Sequence, residues 1–184
     1  MKNYVGIIAL VMLASCGKGV RTKVVEVDVT PRAAPKLECK VFDMSSTSLS
    51  ALPNFKTLNT LGSFEVESLN NATSNNLTPF NSFLDTDLVE LTERFGMVCE
   101  GTLDMVSGSY SFFLNSDDGS RLYINDFLVV DNNGNHGAIK RGANVVLLAG
   151  KAKFRVEYFN GNGDKTLVLS MRQPGIPFEE LVRF

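Results

Sequence analysis

Residues 108–137 read GSYSFFLNSDDGSRLYINDFLVVDNNGNHG, and the rest of the chain is organised around this stretch. Tyr110, Phe112 and Leu114 alternate with smaller or polar residues before the acidic turn Ser116-Asp117-Asp118-Gly119. A second run, Arg121 to Ile124, leads into Asn125-Asp126, and a third, Phe127 to Val130, ends in a loop dense in Asn, Asp and Gly. Period-two apolar spacing broken by turn formers predicts strand, acidic turn, strand, polar turn, strand.

Outward from this stretch the pattern stays β. Phe95 to Met105 predicts a strand leading into Gly108, and Phe154, Val156 and Tyr158 alternate with Lys153, Arg155 and Glu157. Leu167, Leu169 and Met171 share one face of a further strand. Leu37 to Phe42, Gly62 to Ser68 and Phe178 to Phe184 predict shorter strands, and Leu52-Pro53-Asn54-Phe55 returns two apolar side chains to the core. Asn70 to Asn81, with five asparagines and Pro79, predicts a surface loop. Asp85 to Glu93 fits a short helix or an irregular strand, and Val24 to Val29 fits a short strand. With no long helix expected, the prediction is an all-β sandwich or barrel, its loops gathered at the ends of a rigid scaffold.

The N-terminus carries a separate signal. Lys2 precedes an apolar run, Val5 to Ala14, that is too short to anchor stably in a bilayer and fits a signal-peptide core. Leu13-Ala14-Ser15-Cys16 follows and resembles the bacterial lipobox. That resemblance implies removal of residues 1–15, acylation of Cys16, and, with Gly17 next, sorting to the outer membrane of a bacterial envelope. Residues 16–36 then form a lipidated tether containing Pro31 and Pro35, and residues 37–184 form the β domain.

Composition narrows the function. A formal charge of −2 without a basic stripe argues against a nucleic-acid surface. Cys39 and Cys99 lie in two alternating runs, so in an exported protein they are either one disulfide or two buried thiols. No Cys-x-x-Cys pair exists for redox or zinc chemistry. His136, the single histidine, lacks the companions of a hydrolase or zinc centre and fits a rim residue that hydrogen-bonds or touches a ligand. Glu65, Glu93, Glu157 and the Asp pair supply carboxylates, but nothing pairs them as acid and base, so no enzyme is expected.

The strongest chemical cluster is Asp117-Asp118, where adjacent carboxylates repel unless a cation or donors compensate. Calcium suits carboxylate, amide and carbonyl oxygens. Asp131, Asn133 and Asn135 offer oxygens at alternate positions. They are not an EF-hand, because His136 stands at the Gly position and Gly142 at the bidentate Glu position. Asn160, Asn162 and Asp164 repeat the weaker pattern, and both groups also suit ordinary turns.

Residues 109–137, followed by LLAGKAKFRVEYFNGNGDKTLVLS (147–170), closely resemble the PA14 domain. The likeness spans about Leu37 to Phe184 and is loosest before Phe95. It implies a barrel-like β-sandwich in which Asp117 and Asp118 match a cis-linked Asp pair that binds Ca²⁺ and, through it, sugar hydroxyls. An Asn from another loop, Asn135 or Asn133, would complete the site, with His136 beside it. The chain departs from the family in having no Trp, with Met171 near a position where members often carry one. Sugar stacking would then fall to Phe127, Tyr123 or Tyr158. The resulting expectation is a lipid-anchored envelope module recognising a glycan through Ca²⁺. The alternative is a non-catalytic structural or protein-interaction domain in which calcium is absent or only stabilising.

Overall fold

The computed structural model describes residues 36–73 and 93–184. The tether, the lipobox, Val24 to Val29 and nearly all of Asp85 to Glu93 lie outside the described residues. The described residues form eleven strands: β1 (Leu37–Asp43), β2 (Thr60–Val66), β3 (Asn70–Thr73), β4 (Phe95–Met105), β5 (Gly108–Asp117), β6 (Ser120–Ile124), β7 (Phe127–Asn132), β8 (Ile139–Leu147), β9 (Gly150–Asn160), β10 (Lys165–Arg172) and β11 (Glu180–Leu181). One 3₁₀ turn, Phe55–Thr57, carries the buried ring of Phe55.

The strands form two sheets. One runs β2-β1-β4-β9-β6-β7; the other runs β11-β10-β5-β8, with β3 also paired to β10. Every pairing is antiparallel. The expected alternation therefore becomes packing. Tyr110, Phe112 and Leu114 from one sheet face Phe154, Val156 and Tyr158 from the other, all 2 % exposed or less. Burying an aliphatic or aromatic side chain in this way contributes about 1.5–3 kcal/mol each. Edge-to-face contacts such as Phe112 against Phe154, at 5.6 Å between centroids, add to that term. Cys39 stands opposite Cys99 in the β1–β4 ladder, and the two are joined by a disulfide.

Residues 70–73 differ from the loop expectation. They pair with β10, Asn70 opposite Val168 and Thr73 opposite Lys165. Polar composition hid the strand, because an edge strand is held by its main chain and asks little of its side chains.

Register fixes two ends of the sandwich. At one end lie the Asp117-Asp118 turn, the 133–138 loop and the 161–164 loop, since Ser116 pairs with Ile139 and Asp117 with Thr166. The hairpins β4–β5, β6–β7, β8–β9 and β10–β11 turn at the other end, where Met105 pairs with Gly150, Gly108 with Leu147 and Met171 with Glu180. Asn125 and Asp126, with φ of 50° and 66°, make the tight β6–β7 turn that two positive-φ residues allow.

Candidate metal centre

The peptide between Asp117 and Asp118 is cis. Asp118 is 4 % exposed, and both its oxygens are held by main-chain donors. The His136 N–H donates to Oδ1 at 3.0 Å, and the Gly161 N–H donates to Oδ2 at 2.8 Å. The Tyr158 hydroxyl donates to the Asp117 carbonyl at 2.6 Å. Two segments distant in sequence, around His136 and at residues 158–161, therefore converge on one dipeptide.

The close approach depends on glycine. A Cβ on Gly119 would lie 2.6 Å from the Phe159 ring and 2.8 Å from both the nitrogen and the oxygen of Gly134. At Gly161 a Cβ would meet Asp118 Oδ2 and Leu49 Cδ1, each at 3.3 Å, so the 45–52 loop also borders the site.

The electrostatics are those of an undercompensated acidic pocket. Burial, then the neighbouring charges of Asp118 and Asp164, pushes the Asp117 carboxyl up from its ordinary value to about 6. Burial also raises Asp118, against the two N–H donors that lower it. Each carboxylate oxygen has two acceptor sites, so the single N–H on each Asp118 oxygen leaves capacity for a cation.

Asn160 supplies the remaining feature. Its side chain is fully buried, and neither amide atom has a hydrogen-bond partner. It directly precedes Gly161, the donor to Asp118. A buried amide without a partner costs about 1–3 kcal/mol, a cost that a ligand at the site removes. Two carboxylates and an amide oxygen form a hard, oxygen-only donor set, which fits Ca²⁺. Among the described residues no three His, Cys, Asp or Glu side chains cluster as a metal set, so amide and main-chain oxygens would complete the shell.

The other sequence candidates are placed as follows. Asn135 is exposed. Asn133 accepts from the Leu52 N–H at 2.7 Å, latching the 45–52 loop to the rim. The His136 ring nitrogens lie 2.8 Å and 3.0 Å from the carbonyl oxygens of Gly137 and Asn132, while its main chain serves Asp118. Asn132, buried, braces the rim by donating to Ser116 Oγ and to the Ile139 carbonyl, each at 2.8 Å. None of the aromatic candidates offers an exposed stacking face at the site. Tyr158 is buried, Tyr123 lies under Arg155 with its hydroxyl on Glu157, and Phe127 sits at the opposite end. Met171 is partly buried against the core.

Sequence reasoning placed Asn160 only in a weaker, turn-like oxygen pattern, although a stronger signal was present. Extending the inward alternation Phe154, Val156, Tyr158 by two residues puts an amide on the buried face.

Comparison with known proteins agrees with this fold. No curated protein matches the chain. Among solved structures, the PA14 domain of the MpAFP antifreeze protein is similar, with a TM-score of 0.68 at 18% identity, covering 86% of this chain and 93% of that one. A PA14 sugar-binding domain from an RTX adhesin superposes with a TM-score of 0.66 at 20% identity, covering 82% and 96%. The Epithelial Adhesin 9 A domain of Candida glabrata, solved with Galb1-4GlcNAc, gives 0.60 at 15% identity, covering 81% and 89%. At these identities the likeness establishes the fold. The PA14 domain profile matches residues 54–181, and the chain belongs to the PA14 domain family.

Proposed function

We propose that this domain is a non-catalytic glycan-binding module that works through Ca²⁺, held on a bacterial envelope, at the outer membrane, by lipid at Cys16. The observation that carries the reading is the Asp117-Asp118 carboxylate pair, held by main-chain donors, with the buried, unpartnered amide of Asn160 one residue before the Gly161 donor. Asp117, Asp118 and Asn160 would hold the cation, and Asn135 on the neighbouring rim is available to the ligand. Bound there, Ca²⁺ supplies coordination positions that sugar hydroxyls can fill in place of water.

The chain's own residues set the frame. His136 and Gly161 fix the Asp118 carboxylate through main-chain donors, so its orientation does not depend on flexible side chains. Tyr158 anchors the Asp117 carbonyl. The 133–137, 161–164 and 45–52 segments border the site and would set which sugar is accepted. Solved sugar-binding and lactosamine-bound PA14-fold domains support a glycan as the ligand.

The test is a glycan array probed with the protein in Ca²⁺ and in EDTA. Binding to a defined glycan set in Ca²⁺, lost in EDTA, is expected. Glycan binding that persists unchanged in EDTA would sink the mechanism.

A further inference from the structure

The end of the sandwich opposite the Asp pair has a different chemistry. Of the nine large apolar side chains exposed among the described residues, five sit on three hairpin tips there: Val106, Phe127, Leu128, Val146 and Leu148. They come from three separate hairpins, β4–β5, β6–β7 and β8–β9, and the most protruding are Leu148 at 83 % exposure and Phe127 at 77 %. Between the last two hairpins runs a groove of about 350 Å³, lined by Ile124, Phe127, Val129, Val145 and Leu147. Surface apolar residues scattered singly need no explanation, but a cluster on three adjacent tips does.

Two observations identify what covers it. β1 runs from this end toward the Asp117-Asp118 end, because Glu38 pairs with Glu100 and Asp43 with Phe95, so the chain enters the domain from the apolar side. The twenty residues between Cys16 and Leu37 have a contour of at most about 70 Å. The charges on this rim are also balanced. Lys153 pairs with Asp126 at 3.5 Å, and Lys151 stands opposite Asp104 in the ladder. A neutral apolar tip on the anchored side suits the interface of a zwitterionic bilayer, where apolar burial of about 5–10 Å is typical for peripheral attachment.

We propose that the Val106, Phe127 and Leu148 tips rest in the surface of the membrane that holds the anchor, so that the Asp117-Asp118 site points away from it. This rests on the lipid-anchored reading above. It goes beyond that reading in giving the domain a fixed orientation.

The chain has no Trp, so single Trp variants report directly on the contact. With Cys39 and Cys99 in a disulfide, Cys16 is the one remaining thiol of residues 16–184. Coupling it to a maleimide lipid in phosphatidylcholine vesicles places the domain at a bilayer whether or not a cell acylates Cys16. Phe127→Trp and Leu148→Trp should then show blue-shifted emission. Each should lose about half its intensity to lipids brominated near the top of their acyl chains, as shallow burial requires. Leu61→Trp, on β2 toward the other end, should keep its emission. High salt should change none of this. Unquenched emission from both tip variants on coupled chains would overturn the proposal. A blue shift without quenching, together with the mass of two chains, would also overturn it by assigning the patch to a second copy. Separately, a mass spectrum of the cellular protein lacking acyl chains on Cys16 would overturn the anchor reading while leaving the vesicle result intact.

Discussion

The two ends of this sandwich are built from the same strands and obey opposite rules. At the Asp end, charged and amide groups are buried, turns are locked by main-chain donors, and glycines permit contacts under 3 Å. At the hairpin-tip end, apolar groups are exposed, and a Cβ on Gly150 would meet nothing within 4 Å. Buried polarity is costly unless something compensates it, and exposed apolar surface is costly unless something covers it. Each end therefore carries an unfavourable arrangement that a different partner relieves.

The largest contrast should come from packing. Gly119→Ala forces a methyl against the Gly134 main chain, so a loss of about 3 kcal/mol is expected by denaturant unfolding. Leu148→Ser, at the exposed tip, should stay within about 0.5 kcal/mol of the parent. Equal effects would erase the distinction between the ends.

Next in size is a comparison within the site. Asn160→Ala should weaken Ca²⁺ by about tenfold, the equivalent of about 1.4 kcal/mol. In EDTA the same variant should be neutral or stabilising, because it removes a buried amide that has no partner. Asn135→Ala, on the exposed rim, should change Ca²⁺ affinity less than Asn160→Ala. Reversed effects, read by calorimetry, would return the amide ligand to the 133–137 loop.

The smallest expected effect is a pH slope. Asp117 is raised from 3.8 to about 6 in the folded state, so between these values the folded chain holds more protons than the unfolded one. Stability of the metal-free protein should therefore rise as pH falls from 7 toward 5. Asp43, Asp131 and Glu179 are shifted down, and their contributions are lost only as pH falls below about 4.5, outside that window. Asp118 is raised as well and adds to the same slope. Thermal unfolding in EDTA checks it, and Asp117→Asn should reduce it. A slope unchanged in that variant would remove Asp117 as a source of it.

Much of the scaffold was legible because alternation and turn chemistry agreed. Phe95 to Met105 appears as a strand with those bounds, and the 108–137 stretch folds as strand, turn, strand, turn, strand. The site was harder to read because its chemistry lies in convergence. Asn133, Asn135, Asn160 and Asn162 look alike in sequence, yet one latches a loop, two are exposed and one is buried without a partner. Only the register of β9, which turns Asn160 inward, separates them. The contribution of His136 was equally hidden, since its peptide N–H rather than its ring holds Asp118. β3 escaped notice because a short, mostly polar edge strand needs only main-chain partners. The apolar tips were unreadable as a cluster until register brought Val106, Phe127 and Leu148 to one end.

The central claim is that the Asp117-Asp118 end is a calcium site, and calorimetric titration of the protein with Ca²⁺, beside Asp118→Asn, tests it most directly. A saturable single site in the parent, absent from a folded Asp118→Asn, is the predicted result. Ca²⁺ at about 100 times its Kd should also stabilise the parent by about 2.7 kcal/mol. No heat of binding to a folded parent, or equal binding by the variant, would contradict the account.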